Sequence, residues 1–353
     1  MPEIYEITMR SFIKKISNRP FHLVKMSMRK GTILTKKIFA KTRDICLTKH
    51  LTFEVRELFF QHNGTTDFSR YDMIVRLLAV ENEYGLNDYG FCMYCRMQEA
   101  RQSKAWVETS VKRFKTLIES YKHNGYNTQS EIELDCNLHL IDGSHRMAMA
   151  MFHKVLFISA KVRPYKTSVF YGIEWFLLNG FTTNECEILT KRYRQLYDNY
   201  TIPFVCTLWS PIQKYYDEIT KHLSMFGTIR EVMDFEYSAS NYQCMAKAIY
   251  HVGDLENRDI EEKLSKMRTQ ELNKIRLITI VLNTPRFRLN KSNNNTLSTQ
   301  SELIEKLIRD AYKHKKEEDF YDPILCVGNN FSQNEQTYNF FKTQVNLQSD
   351  TKI

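Results

Sequence analysis

The segment Leu140 to Lys154 reads LIDGSHRMAMAMFHK and constrains the fold more than any other stretch of the chain. Leu138, Leu140 and Ile141 predict the end of a short buried strand. Met147, Ala148, Ala150 and Met151 fall at helical spacing, and Ala and Met favour helix. Between them stand Asp142, Gly143, Ser144, His145 and Arg146, which must turn the chain from strand to helix. Gly143 permits a tight turn, and Ser144 is a candidate N-cap. The first turn of such a helix presents unpaired N–H groups and a positive dipole end, which attract anions. Arg146 adds a fixed charge shaped to grip phosphate through two N–H groups. His145 is a further candidate donor to a phosphate oxygen. The segment thus has the make-up of a phosphate-holding turn. The alternative is a capped helix whose His145 and Arg146 are merely solvated.

The flanking pattern supplies a framework. Ile45 to Phe60 reads as a short strand, a turn and a helix start. Tyr71 to Glu83 and Tyr94 to Arg101 predict helices. Trp106 to Lys122 is a clear amphipathic helix, with Val111, Phe114, Leu117, Ile118 and Tyr121 on one face. His123-Asn124-Gly125 stops it. Ser130 to Asp135 alternates like a strand, Asn137 to Ile141 completes a hairpin, and Phe157 to Val162 predicts the next strand. After Pro164 the pattern predicts helices over Tyr171 to Leu178, Asn184 to Asp198, Ile212 to Phe226 and Leu303 to Lys315. Strands are predicted over Ile202 to Leu208, Ile275 to Leu282 and Tyr321 to Val327. Asn290 to Thr299 reads as a polar, low-complexity loop, and Gly328-Asn329-Asn330 as a turn or ligand-binding loop.

A chain of 353 residues exceeds what one compact core usually takes. We therefore expect an α+β protein in three parts: a basic segment over 1–42, a small mixed sheet with helices over 43–170, and a second α/β domain over 171–353. The net charge of +9 favours anionic partners without choosing among nucleotides, nucleic acids, phosphosugars and membrane surfaces. Lys14, Lys15, Arg29, Lys30, Lys36 and Lys37 concentrate that charge near the start. Eight widely spread cysteines predict reduced, mostly buried thiols, and the single pair Cys92 and Cys95 has no second pair to complete a zinc site. No apolar run is long enough for a membrane span, and Glu3 and Glu6 make a poor targeting signal, so a cytoplasmic location is expected.

The succession of SVKRFKTLIESYKHNGYNT, NLHLIDGSHRMAMAM and FISAKV resembles the ParB/sulfiredoxin superfamily over roughly residues 43–165. That resemblance implies a turn that holds nucleotide phosphates. Within the superfamily, partition proteins bind DNA and hydrolyse CTP, sulfiredoxins use ATP with a Cys in the turn, and free serine kinases phosphorylate a small hydroxyl substrate. Ser144 stands where a sulfiredoxin has its Cys, which argues against that reaction. Asp142 before Gly143 looks more like the serine kinases. Those enzymes carry a catalytic Glu after the first strand, which makes Glu54 a candidate base; otherwise Glu54 caps or solvates the helix that follows. The second half is similar in general pattern to accessory domains of bacterial glycan and capsule clusters, without residues that identify a family.

The resulting expectation is a nucleotide-dependent kinase of an amino acid, polyol or sugar, with glycan synthesis as one setting. Gly143, Ser144, His145 and Arg146 would bind ATP or ADP, with CTP as an alternative. Asp142 and Glu54 would be catalytic, and Asp142 could meet Mg²⁺. Arg70 and Asp72 would bind substrate, or Asp72 would cap a helix. The competing expectations are a ParB-like CTP-dependent DNA-binding protein, disfavoured by the absence of a recognition helix, and a non-catalytic nucleotide-binding partner.

Overall fold

In the computed structural model, residues 49–62, 68–127, 131–167, 170–236, 245–249, 274–290, 294–312 and 325–350 are described. The chain divides into two compact units, Met1–Leu47 and Thr48–Ile353. The first unit, and with it the basic segment, lies outside the described residues.

The described residues form a mixed α+β structure around two four-stranded sheets. The chain opens with β1 (Lys49–Glu54), α1 (Val55–Phe59), α2 (Tyr71–Glu83), α3 (Gly90–Arg101) and α4 (Lys104–Asn124). It continues through β2 (Ile132–Leu134), β3 (Leu140–Asp142), α5 (Ser144–Phe152) and β4 (Phe157–Val162). The first sheet has the order β1-β4-β2-β3, with β2 parallel to β4 and the other pairs antiparallel. Helix α2 is buried along nearly its whole length, because its apolar residues leave little polar face. The α4 stripe is buried at Phe114, Ile118 and Tyr121, and Gly125, at φ +73°, ends the helix as its position predicts.

The second half contains α6 (Ile173–Leu178), α7 (Thr183–Tyr200), β5 (Phe204–Trp209), a 3₁₀ turn (Ser210–Tyr215) and α8 (Tyr216–Leu223). There follow β6 (Gly227–Glu236), β7 (Lys274–Leu282), β8 (Phe287–Leu289), β9 (Thr296–Ser298), α9 (Thr299–Tyr312), β10 (Leu325–Val327) and α10 (Phe331–Asp350). The second sheet is antiparallel in the order β10-β5-β7-β6. Its central strands are apolar on both faces. Phe204, Cys206, Leu208, Ile278 and Ile280 join the main core, whereas Val205, Trp209, Ile275 and Leu277 pack with Phe235 and Phe341 in a second cluster.

The expected divide near residue 170 falls between the two sheets, yet one core runs from Phe53 and Phe60 through Tyr197 and Phe204 to Phe331. Arg70 bridges to Tyr171, and the Tyr71 N–H donates to the Tyr171 carbonyl. Two local expectations are corrected. The helix predicted over Ile212 to Phe226 ends at Leu223, and Gly227 begins a strand, where a Cβ would fall 2.2 Å from the Val281 carbonyl oxygen of β7. Thr296–Ser298 is a strand paired with Phe287–Leu289, so the far end of the predicted polar loop is ordered by backbone pairing. Gly328-Asn329-Asn330, read as a turn or ligand-binding loop, bends into α10, where Asn330 Oδ1 accepts from the Gln333 N–H at the helix start. Among the described residues no helix is long and apolar enough to cross a membrane.

Candidate phosphate-binding site

The segment 140–154 folds as its pattern predicts: β3 ends at Asp142 and α5 begins at Ser144. Gly143, not Ser144, is the N-cap, and no side chain caps the helix. Two constraints select glycine there. Its φ is +94°, and a Cβ would fall 2.5 Å from Cγ2 of Ile132 on the neighbouring strand. The first helical bond runs from the Met147 N–H to the Gly143 carbonyl. The N–H groups of Ser144, His145 and Arg146 therefore precede the helical ladder and carry the positive dipole end.

Arg146 is anchored. Its guanidinium donates to the Glu131 carbonyl and, at 3.3 Å, to Asp142 Oδ2. Asp142 itself is largely exposed, with 74% of its side chain accessible. His145 turns inward. Its ring stacks on Phe114 at a centroid distance of 4.2 Å, and Nε2 lies 2.7 Å from the Tyr94 hydroxyl. Burial first, then the cations of Arg76, Arg101 and Arg146, hold its pKa well below the usual histidine value. The neutral ring is thus occupied in the core, and what His145 offers an anion is its backbone N–H.

Behind this turn lies a charge network that local patterning does not reveal. Arg70 clasps Asp72 with two bonds, Nε to Oδ1 at 2.8 Å and Nη2 to Oδ2 at 3.0 Å. A third nitrogen of Arg70 donates to the Leu140 carbonyl on β3 at 3.3 Å. Arg76 donates to Asp72 Oδ2 at 2.8 Å and to its carbonyl at 2.7 Å. Asp72 is wholly buried. Burial alone would raise its pKa, but Arg70 and Arg76 outweigh that and hold it at about 2. Arg70 and Asp72, expected to meet substrate, therefore spend their charges on each other. They brace the strand leading into the turn, and Asp72 does not act as a cap.

The network carries more positive than negative charge. Arg70, Arg76, Arg101 and Arg146 stand against Asp72 and Asp142, four cations to two anions, leaving a formal +2. Burial, with Arg101 as a like charge, lowers the Arg76 pKa to about 10 despite Asp72. Arg101 packs over the Tyr171 ring at 4.4 Å and donates through Nε to its hydroxyl at 2.9 Å. Arg76 Nε and Arg101 Nη1 are buried without a hydrogen-bond partner. Arg76 was the residue to notice in the sequence, as a lone cation inside the apolar run IVRLLAV, four residues after an acid.

No protein-family model matches the chain, and no curated protein or solved structure matches it significantly.

Glu54 stands elsewhere. It pairs with Phe157 across β1 and β4, whereas Asp142 pairs with Glu133, which in turn faces Lys161. This register separates the two carboxylates by four residues along the strands and three strand spacings across them, roughly 13 Å by 14 Å. Glu54 is bound by Arg56 Nε at 2.7 Å and lines a separate cavity with Glu57. It is not brought to the turn.

The turn offers the N–H groups of Ser144, His145 and Arg146 and the Arg146 guanidinium, donors suited to an anion. Among the described residues no three His, Cys, Asp or Glu side chains gather as a metal site. Asp142 is the carboxylate the turn itself provides, and it is exposed.

Proposed function

We propose that the chain is a nucleotide-dependent phosphotransferase acting on a small hydroxyl compound, with ATP or ADP as donor. The observation that carries this reading is the surplus of positive charge behind the first turn of α5, where Arg76 and Arg101 keep buried N–H groups without partners. An anion over that turn would meet the N–H groups of Ser144, His145 and Arg146, and the fixed charge of Arg146. The resemblance of DGSHR and its flanking elements to the ParB/sulfiredoxin superfamily supports the same reading, and Asp142 draws it toward the serine kinases.

Phosphoryl transfer asks mainly for positioning and charge neutralisation. The terminal phosphoryl would pass to the acceptor oxygen as its bond to the leaving phosphate breaks. The acceptor proton would pass to Asp142, the exposed carboxylate of the turn, held by Arg146. Glu54 has no part in this step, because the sheet register keeps it away.

Phosphorus NMR of the purified chain with Mg²⁺ tests the proposal. ATP, ADP and CTP are offered separately with a mixture of serine, polyols and sugars, beside an Arg146→Ala control. A new phosphomonoester signal that the control lacks is the expected result. Hydrolysis of CTP without such a signal would replace the kinase with a nucleotide switch. Nucleotide binding unchanged in Arg146→Ala would remove the phosphate cradle itself.

A further inference from the structure

A cavity of about 300 Å³ opens where β1 passes into α1, and nothing in the phosphotransfer reading uses it. Its volume is at the small end of ligand pockets and suits a ligand of monosaccharide size. Glu54 and Glu57 come to it from β1 and α1, and Thr296 from β9. The opposite wall is the first turns of α10, with Ser332, Gln333 and Gln336.

The chemistry of the wall is specific in kind. Five residues with carboxamides are among its lining, Asn294, Asn295, Asn330, Gln333 and Gln336; Asn330 is spent within the wall, its Oδ1 accepting from the Gln333 N–H and its Nδ2 donating to the Thr296 carbonyl, whereas Gln336 is exposed. A carboxamide both donates and accepts, as a hydroxyl does. Glu57 is only 1% exposed, and its Oε1 accepts from the Phe331 N–H at 3.2 Å. Its Oε2 is buried, and the Thr296 hydroxyl bonds to the same carboxyl. A buried carboxyl at the wall of a polar cavity, held by one N–H and one hydroxyl, keeps further hydrogen-bonding capacity for a ligand group. Phe157, 53% exposed, adds an apolar surface against which the C–H face of a ring can lie.

The charges argue for a neutral occupant. Arg56 binds Glu54 at 2.7 Å and Glu335 at 3.1 Å, so its charge is already engaged by acids, and Lys49 Nζ is held by the Asn294 side-chain oxygen at 3.0 Å. Burial first, and the neighbouring charge of Glu54, push the Glu57 pKa up to about 8, against the pull of Thr296, the Phe331 N–H and Arg56. At neutral pH Glu57 is therefore mostly a carboxylic acid, able to donate as well as accept.

We propose that this cavity binds a neutral polyhydroxylated ligand, a sugar or polyol, held by its carboxamides and by Glu57, at a site separate from the anion-binding turn at Gly143. The proposal does not rest on phosphotransfer, since it concerns binding alone and residues that the turn does not share.

Saturation-transfer difference NMR on the full chain, with ribitol and D-glucose as probes, tests it. Ser332→Phe fills the cavity and Gln336→Ala removes one carboxamide from an exposed position; thermal melting confirms that each variant is folded. We expect saturable transfer to at least one probe at millimolar concentration, at least tenfold weaker binding in Ser332→Phe and severalfold weaker binding in Gln336→Ala. Arg146→Ala should bind the probe as the unmodified chain does. No transfer to either probe, or binding in both cavity variants equal to that of the unmodified chain, would overturn the proposal. Loss of probe binding in Arg146→Ala would overturn the separation of the two sites.

Discussion

The imidazole of His145 lies flat on Phe114, 4.2 Å between ring centroids and 16° from parallel, with Nε2 held by Tyr94. A histidine at the head of a candidate anion site is thus a core residue by its side chain and a site residue by its backbone. The double variant Tyr94→Phe, His145→Phe removes both polar partners at once, which can be nearly neutral for stability. It should retain ATP affinity within about threefold, an energy change well under 1 kcal/mol. Isothermal titration would show otherwise if the imidazole itself held phosphate, through a loss of tenfold or more.

Gly143 is fixed twice over, by its φ of +94° and by Ile132 against its Cα. Gly143→Ala should destabilise the chain by about 1–3 kcal/mol, the usual range for a strained backbone position. Nucleotide binding should fall further than stability, because the N–H groups of the next three residues are aimed from this point. Chemical denaturation and nucleotide titration, measured on the same preparation, separate the two effects.

Among the described residues, Asp72 is the carboxylate that both Arg70 and Arg76 contact directly. Asp72→Asn leaves two buried guanidinium groups without their counter-charge and should cost about 3–5 kcal/mol, as breaking a buried pair does. Since the folded carboxyl titrates at about 2 and an unfolded one near 4, its contribution is present above pH 4 and fades as the pH falls through 2. The stability gap between the variant and the parent chain should therefore narrow on acidification. A gap that stays constant from pH 6 to pH 3 would show that the Asp72 carboxyl titrates alike in the folded and unfolded chain, and would overturn the charged pairing with Arg70 and Arg76.

Glu57 has the opposite sign. Its folded pKa of about 8 lies above the ordinary glutamate value, so the folded state binds the extra proton between roughly pH 4.5 and 8. Stability from this group falls as the pH rises through that window, by up to about 1.4 kcal/mol per unit. Glu57→Gln keeps an acceptor for the Phe331 N–H and removes the titration. Denaturant midpoints measured from pH 5 to pH 8 should decline less steeply in the variant than in the parent chain.

How far the sequence reached depended on how local each feature is. The strand, glycine and helix around Asp142 are adjacent in the chain, and the pattern located the turn at Gly143 and the helix after it; the strand, predicted from Asn137, starts only at Leu140, because Leu138 lies in the hairpin turn at φ +64°. The Phe157–Val162 strand and the Tyr71–Glu83 helix were legible for the same reason, since each carries its own periodicity. Strand β6 was not, because it lies at the edge of its sheet and buries little between Gly227 and Phe235. Helix α10 was not, because Phe331 and Phe341 are set among Asn, Gln and Thr without an apolar stripe. The arginine network joins residues from α2, α3 and the bridge at Tyr171, and no short window contains that association. Glu54 was read from its neighbours in sequence, whereas its role follows from the strand opposite it.

The pairing of Ser69 and Tyr71 with Tyr171 has a consequence for modularity. Phe60 touches Tyr193 and Tyr197 edge-on, and Phe68 stacks on Tyr193, so the half that holds the DGSHR turn presents aromatic rings that the other half covers. A gene fragment ending near residue 170 would encode a piece with an open, sticky flank. The turn cannot be transplanted as a free-standing cassette: recombination that moves it must bring the tyrosines of α7 as well, or supply another cover for the same rings.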